Sequence, residues 1–145
     1  MDKNSIKLKP VSSKPEKFNK VIANKLNEHA KEKYFPFDWK DLNLEARNKQ
    51  SQLVGGLAGG TIWNWLFVRA LWVAKKYRNQ GLGTQLLQKA QLMAKKRGCS
   101  YIELDTYSYQ APGFYRKLGF KRFGTLKPFP KGARRYYLFK KIGSK

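Results

Sequence analysis

The chain has 145 residues and a formal net charge of +22, with 41% hydrophobic and 14% aromatic residues. This length is close to the commonest size of one domain, and the hydrophobic content is too high for an intrinsically disordered chain. A single cysteine excludes an internal disulfide framework, and we find no metal-ligand motif in the sequence.

The charges are unevenly distributed along the chain. Residues 1–50 hold seven of the nine acids, and only Glu103 and Asp105 follow Glu45. Such an excess of lysine and arginine favours anionic partners, with nucleic acid among them. A solvated basic surface without a specific partner explains the same composition, and both interpretations stay open.

The amino-terminal sequence M-D-K-N-S-I-K-L-K-P has no apolar run of signal-peptide length, so we expect a cytoplasmic protein. The stretch from Gly55 to Ala74 carries one charge, Arg69, and is long enough to suggest a membrane span. Its four glycines, with Thr61 and Asn64, instead favour two buried strands around a turn. We therefore expect no membrane association.

The first part of the chain predicts a short strand and a helix. Ile6 and Leu8 alternate with lysines, which is typical of an edge strand. The run from Ser13 to Glu16 resembles a capping box, and apolar residues at helical spacing then predict a helix to about Lys33. The aromatic connector 34–39 follows, as either a core lid or a pocket wall.

Alternation predicts a strand over 42–46, a turn over 48–51 and a second strand over 53–62. Residues 65–73 are almost continuously apolar, which predicts a central strand that is buried on both faces. An amphipathic helix is predicted from Gly83 to Arg97. The remaining predicted elements are a strand over 101–106, a short helix over 111–118, and strands over 120–125 and 135–142.

The most informative segment joins the predicted central strand to the amphipathic helix. It reads V-A-K-K-Y-R-N-Q-G-L-G-T over residues 73–84. Glycines allow close approach of a ligand to the backbone, and the free amides and dipole at a helix start favour an anion. Arg78, Lys75 and Lys76 add cations. The pattern therefore predicts a phosphate-binding loop, although it fits neither a Walker A loop nor a dinucleotide fingerprint.

The pattern V-x-x-x-x-R-x-x-G-x-G at a helix start resembles the acetyl-CoA-binding motif of GNAT acetyltransferases. The segment S-Y-Q-A-P-G-F-Y-R-K-L-G-F, residues 108–120, is similar to the next motif of that family. The resemblance covers about residues 65–120. It implies one α/β domain over 1–145, with a mixed, mostly antiparallel central sheet flanked by helices. It also implies direct, metal-free acetyl transfer from acetyl-CoA to a primary amine in a ternary complex.

The resemblance also implies roles for individual residues. Main-chain groups of Leu71 and Val73 would pair with the pantetheine arm, which Ala111 and Phe114 would border. Tyr115 would lie near the thioester sulfur as a general acid. The alternative is that its ring only packs the helix against the core. The pyrophosphate would lie on the loop amides of Arg78, Asn79, Gln80, Gly81, Leu82, Gly83 and Thr84. Ser108 stands where the family often has asparagine, and it could still form a hydrogen bond to the coenzyme, although its side chain has a shorter reach.

The motifs do not identify a general base, because Arg69 occupies the position where the resemblance implies an acid. A protonated amine must lose its proton before it attacks a thioester. Glu103 and Asp105 share one strand face and are catalytic candidates for that step. They could instead form ion pairs, and a solvent relay without a named base is a third possibility.

The acceptor is not specified by these motifs. An amine-bearing small molecule such as a polyamine or antibiotic, a peptide amino terminus or lysine, and aminoacyl-tRNA are the candidates. A basic nucleic-acid-binding module on the same fold is the alternative function. The protein is expected to be a monomer or a homodimer.

Overall fold

The computed structural model describes residues 6–33 and 35–143, which divide into two compact units, one ending at Phe37 and one beginning at Asp38. The first unit contains helix α1, Pro15–Lys33. Proline suits this first helical position because its missing amide hydrogen would have no helical partner there. The helix ends at the predicted residue, and Phe37 N donates to Asn27 Oδ1 over 2.9 Å.

The predicted edge strand at Ile6 and Leu8 is wrong. No strand is formed there, and the two side chains are 87% and 95% exposed. Alternation by itself does not make a strand, because the backbone groups need a neighbouring strand with which to pair. Among the described residues, no strand pairs with this segment.

The second unit is a six-stranded sheet with two helices. Its elements are β1 Lys40–Arg47, β2 Leu53–Ile62, β3 Trp65–Val73, α2 Leu82–Lys96, β4 Tyr101–Tyr107, α3 Pro112–Lys117, β5 Lys121–Leu126 and β6 Arg135–Lys141. The strand order is β1-β2-β3-β4-β6-β5, and β3 and β4 form the single parallel pair among these strands. The structure confirms the predicted α/β class and its mostly antiparallel sheet.

The weakly charged stretch 55–74 forms parts of β2 and β3, which pair as an antiparallel hairpin. This confirms the two-strand interpretation. Among the residues that the structure describes, no helix combines the length and apolar character needed to cross a bilayer.

One face of the sheet packs on α2 and α3 to form the core. Leu86, Leu87, Ala90 and Ala94 are the buried residues of α2. They pack with sheet residues such as Leu66 and Leu104 in one apolar cluster. The helix ends at Lys96, and Gly98 terminates it with a φ of +87°, which glycine adopts at little cost.

Arg97, directly after α2, fixes that end of the helix to the sheet. Its guanidinium donates to Lys40 O over 3.2 Å, to Asp41 O over 3.1 Å and to Thr61 Oγ1 over 3.1 Å. These bonds satisfy polar groups of β1 and β2 at the edge of the core. The opposite, amino-terminal end of α2 is therefore held in a defined position.

Strand β3 is central, as predicted, but the expectation that it is buried on both faces is wrong. Leu66 and Val68 are buried, whereas Trp72 is 47% exposed and Arg69 and Ala70 are also exposed. The exposed residues all follow Val68, the last residue of β3 that pairs with β4. Beyond that residue, β3 has a neighbour only on the β2 side.

A β-bulge interrupts β3 at the point where it leaves β4. Ala58 pairs with Ala70 and Gly59 with Val68, so Arg69 is the extra residue on β3. A Cβ atom added at Gly59 would collide with the backbone carbonyl of Phe67. Glycine is therefore required for this close approach of the two strands.

We expect Gly59→Ala to lower the free energy of unfolding by about 1–3 kcal/mol, because the methyl group overpacks against backbone that cannot move aside cheaply. The matched control is Gly113→Ala in α3, where an added Cβ meets no atom within 4 Å. It should be neutral or slightly stabilising, since alanine favours helix. Urea denaturation of both variants measures the difference, and equal stabilities would contradict the assigned strand contact.

Candidate active site

The candidate site begins where β3 and β4 separate. Their parallel pairing runs from Trp65 beside Tyr101 to Val68 beside Leu104. Beyond these residues β4 stays paired with β6 as far as Tyr107, while β3 stays paired with β2. The facing edges of the two strands therefore have main-chain groups without a strand partner, and a ligand can bind between them.

A cleft of about 710 Å³ lies at this opening. It is bounded by the end of β3, the loop into α2, and α3 with the turn before it. The lining residues are Leu71, Trp72, Val73, Tyr77, Arg78, Asn79, Gly81, Leu82, Gly83, Thr84, Tyr109, Gln110, Ala111, Phe114 and Tyr115.

The amino terminus of α2 presents free amides to this cleft. Gly81 caps the helix with a φ of +83°, and no side chain caps it. The first backbone bond of the helix is from Gln85 N to Gly81 O, 3.0 Å. The preceding amides, those of Leu82, Gly83 and Thr84, have no intrahelical acceptor because of their position. This end of the cleft therefore suits an anion.

Arg78 holds the loop rather than extending freely into solvent. Its Nε donates to Val73 O over 2.9 Å, so the guanidinium lies close to the strand end. Two predicted contacts lie outside the cleft lining. Gln80 Nε2 donates to Lys76 O over 2.9 Å. Ser108 Oγ accepts from Arg134 N over 3.0 Å and faces a different cavity.

Gln110 is a cleft residue that the motif comparison missed. Its Oε1 accepts from Tyr107 N over 2.9 Å and from Thr106 Oγ1 over 3.2 Å. With the oxygen engaged twice, the Nε2 group remains as a donor in the cleft lining. Gln110 lies two residues after Ser108 in the segment S-Y-Q-A, at a position that the family motif leaves unspecified.

Tyr115 is packed on most sides and still lines the cleft. It is 9% exposed, and its ring makes edge contacts with Phe114 at 5.1 Å and Phe120 at 5.7 Å between centroids. Burial raises the pKa of its phenol, and the charge of Asp105 adds to this effect. The phenol is therefore protonated at neutral pH and can act as a proton donor.

Glu103 and Asp105 lie on the same face of β4, as predicted, and outside the cleft lining. Asp105 Oδ2 accepts from Arg135 Nε over 2.8 Å, so this carboxylate has an ion-pair partner. Burial raises the pKa of Glu103, the Asp105 charge raises it further, and Arg135 partly opposes them. The two acids thus differ: Asp105 is paired, whereas Glu103 binds a proton more readily than an ordinary carboxylate does.

Aromatic side chains surround these charged groups. Tyr107 stacks on Tyr109 and meets Phe129 edge-on, with both centroid distances 5.4 Å. Arg69 lies over the Trp39 ring at 4.3 Å. Arg69 is therefore a cation in contact with an aromatic ring, and it cannot serve as the general base.

In residues 6–33 and 35–143 the structure places no group of three or more His, Cys, Asp or Glu side chains for a metal ion. Cys99 is buried, and burial raises the pKa of its thiol. A neutral, enclosed thiol is a poor nucleophile. The groups available for chemistry are therefore the phenol, the carboxyls and the helix amides.

We expect Asp105→Asn to lower the pKa of Glu103, because the substitution removes a neighbouring negative charge and leaves Arg135 in place. Because the pKa of Glu103 is raised in the folded protein, ionising this carboxyl lowers the free energy of unfolding. That stability is lost as pH rises through the folded-state pKa. The variant should lose less stability than the parent protein at pH values above the pKa of Glu103. NMR titration of the Glu103 carboxyl carbon measures the pKa. An unchanged or higher value would show that Asp105 does not act on Glu103.

Comparison with known proteins agrees with this arrangement. A family model described as an acetyltransferase (GNAT) domain matches residues 43–122. Blasticidin-S acetyltransferase of Streptomyces morookaense is 35% identical over 98 residues, which are 67% of this chain and 72% of that protein. An acetyltransferase of Agrobacterium fabrum is 35% identical over 113 residues, 78% of this chain and 82% of that protein.

Solved structures show the same fold. A candidate acetyltransferase from Agrobacterium tumefaciens superimposes with a TM-score of 0.82 at 31% identity, covering 95% of this chain and 98% of that one. An acetyltransferase from Bacillus cereus gives a TM-score of 0.78 at 29% identity, covering 92% and 97%. The chain belongs to the GNAT acetyltransferase family.

Proposed function

We propose that the protein binds acetyl-CoA in the cleft between β3 and β4 and transfers its acetyl group directly to a primary amine. The observation that carries this proposal is the combination of two parted strand edges with the uncapped amino terminus of α2 at the same opening. The strand edges suit an extended arm with amide groups, and the helix start suits its phosphates.

The cleft fits the parts of acetyl-CoA in order. The amides of residues 82–84, with Arg78 beside them, take the pyrophosphate. Main-chain groups of Leu71 and Val73 face the pantetheine arm, and Ala111 and Phe114 form the opposite wall. The Nε2 group of Gln110 supplies a further donor. Bound acetyl-CoA supplies an activated acetyl group as a thioester.

Tyr115 acts as the proton donor. As the carbon–sulfur bond breaks, the sulfur of coenzyme A takes the electron pair and the phenol gives it a proton. The phenol regains a proton that the attacking nitrogen releases as the amide forms. The raised pKa keeps Tyr115 protonated at neutral pH, so its proton is present when negative charge develops on the sulfur. Because a general acid works best with a pKa near the operating pH, this raised pKa favours the protonated form over ease of proton release.

Glu103 accepts the proton of the amine, directly or through water, because its pKa lies closer to neutrality than that of an ordinary carboxyl. Asp105 is held by Arg135 and attracts the cationic acceptor without taking its proton. Tyr107, Tyr109 and Phe129 provide aromatic surface beside the acids. This combination favours a small cationic amine as the acceptor, and the Streptomyces relative is named as an acetyltransferase of blasticidin S.

Gly83→Asp should weaken acetyl-CoA binding at least about tenfold, because it adds a negative charge at the helix start that would hold the pyrophosphate. An added Cβ at this position would also lie 3.3 Å from the Phe114 ring, on the opposite wall of the cleft. Isothermal titration calorimetry with acetyl-CoA measures the affinity.

Gly113→Asp is the matched control, since it introduces the same charge in α3 at a position outside the cleft lining. It should keep nearly the parent affinity. Circular dichroism checks that both variants are folded. If Gly83→Asp binds acetyl-CoA like the parent, the phosphates do not lie on α2.

Tyr115→Phe should lower the turnover number at least about tenfold with little change in acetyl-CoA affinity, because proton donation matters mainly in the transition state. The acceptor is first identified by mass spectrometry, with labelled acetyl-CoA and a panel of polyamines, amine antibiotics, peptides and aminoacyl-tRNA. Steady-state kinetics on that acceptor then compare the variant with the parent.

Tyr101→Phe is the control for loss of a phenol, because this ring stacks on Trp65 at a centroid distance of 4.8 Å, away from the cleft. It should turn over like the parent. Parent-like turnover of Tyr115→Phe would show that this residue only packs in the core, and transfer to none of the amines would count against the proposed function.

A further inference from the structure

A second cavity lies on the other side of α3 and is not used by the proposed reaction. It measures about 460 Å³ and is lined by Ser108, Pro112, Arg116, Phe120, Arg122, Tyr136 and Leu138. Phe120 and Leu138 are 4% and 6% exposed, so they form a solid apolar floor that belongs to the core. Ala111, Phe114 and Tyr115 line the acetyl-CoA cleft, which makes α3 the wall between the two cavities.

The polar groups of this cavity are almost all donors. Arg116 and Arg122 contribute two guanidinium groups, and neither forms an ion pair with an acid among residues 6–33 and 35–143. The oxygen of Ser108 already accepts from Arg134 N, so its O–H is left to donate. No carboxylate lines the cavity to neutralise the two cations.

Arg122 is also held in position. Its guanidinium lies 4.6 Å from the centre of the Tyr136 ring, and this cation–π contact orients the side chain at the cavity. Guanidinium groups bind phosphate with paired hydrogen bonds, which distinguishes these arginines from the scattered lysines elsewhere on the surface. The cavity therefore combines two exposed guanidinium groups, one of them oriented by Tyr136, with an apolar floor.

We propose that this second cavity binds a small organic phosphate, with the anionic group between Arg116 and Arg122 and the apolar part on Phe120 and Leu138. The volume of about 460 Å³ favours a small molecule over a long polyanion, which would require a continuous basic track. The site is separate from the acetyl-CoA cleft. Of its lining residues only Ser108 was expected at the coenzyme, and this side chain lines the second cavity.

The test uses pyrophosphate as the probe and NMR of the arginine Nε–Hε groups as the readout. Coenzyme A is added to saturation first, so that the α2 end of the cleft is occupied. Pyrophosphate should then shift the Arg116 and Arg122 signals along a saturable curve. Because these signals are specific to the second cavity, a failure of coenzyme A to bind would affect the proposed function and not this readout.

Two double variants with the same loss of charge separate a site from general attraction. Arg116→Gln with Arg122→Gln should weaken pyrophosphate binding at least about tenfold, as expected when charge-assisted hydrogen bonds are lost. Lys89→Gln with Lys96→Gln, on exposed positions of α2, should weaken it less than about twofold. Circular dichroism confirms that both proteins are folded.

Three results would overturn the proposal. The first is no response of the Arg116 and Arg122 signals to pyrophosphate, and the second is a response that does not saturate. The third is an equal loss of pyrophosphate binding in both double variants. A single-stranded RNA oligonucleotide is titrated in parallel. Tighter RNA binding that depends equally on the α2 lysines and the two arginines would indicate a diffuse nucleic-acid surface in place of a phosphate site.

Discussion

The candidate site depends on one feature of the sheet, the separation of β3 from β4 after four paired residues. The extra residue Arg69 lies at this point and places a bulge in β3. A bulge bends its strand and increases the local twist, so the end of β3 turns away from its parallel neighbour. The cleft, the exposure of Trp72 and the free strand edges all follow from that divergence.

The rest of the second unit keeps this opening in place. Arg97 anchors the far end of α2 to β1 and β2, and the apolar face of the helix packs on the sheet. The amino terminus of α2 is then directed at the opening, with α3 across from it. The gap between the strands is therefore present without a ligand, as part of the sheet topology.

The sequence predicted the elements of residues 40–142 well because their signals are local. Apolar alternation, the helical spacing in α2 and the glycines at 81 and 83 each operate within a few residues. The failures concern contacts between distant parts of the chain. The exposure of β3 after Val68 depends on where it parts from β4, which local apolar content does not reveal. Ion pairing of the acids was one of the two interpretations, but the partner of Asp105, Arg135, lies 30 positions away and could not be identified locally. Similarly, the orientation of Gln110 depends on how the turn after β4 closes.

The uneven charge has opposite effects on the two substrates of the proposed reaction. Residues 46–143 hold twenty basic residues and only two acids, Glu103 and Asp105. At long range this field attracts the anionic coenzyme and repels a cationic amine, while the two acids act on the amine only nearby. Dissolved salt screens the long-range part first. Rising ionic strength is therefore expected to slow the encounter with the coenzyme and to speed the encounter with a cationic amine.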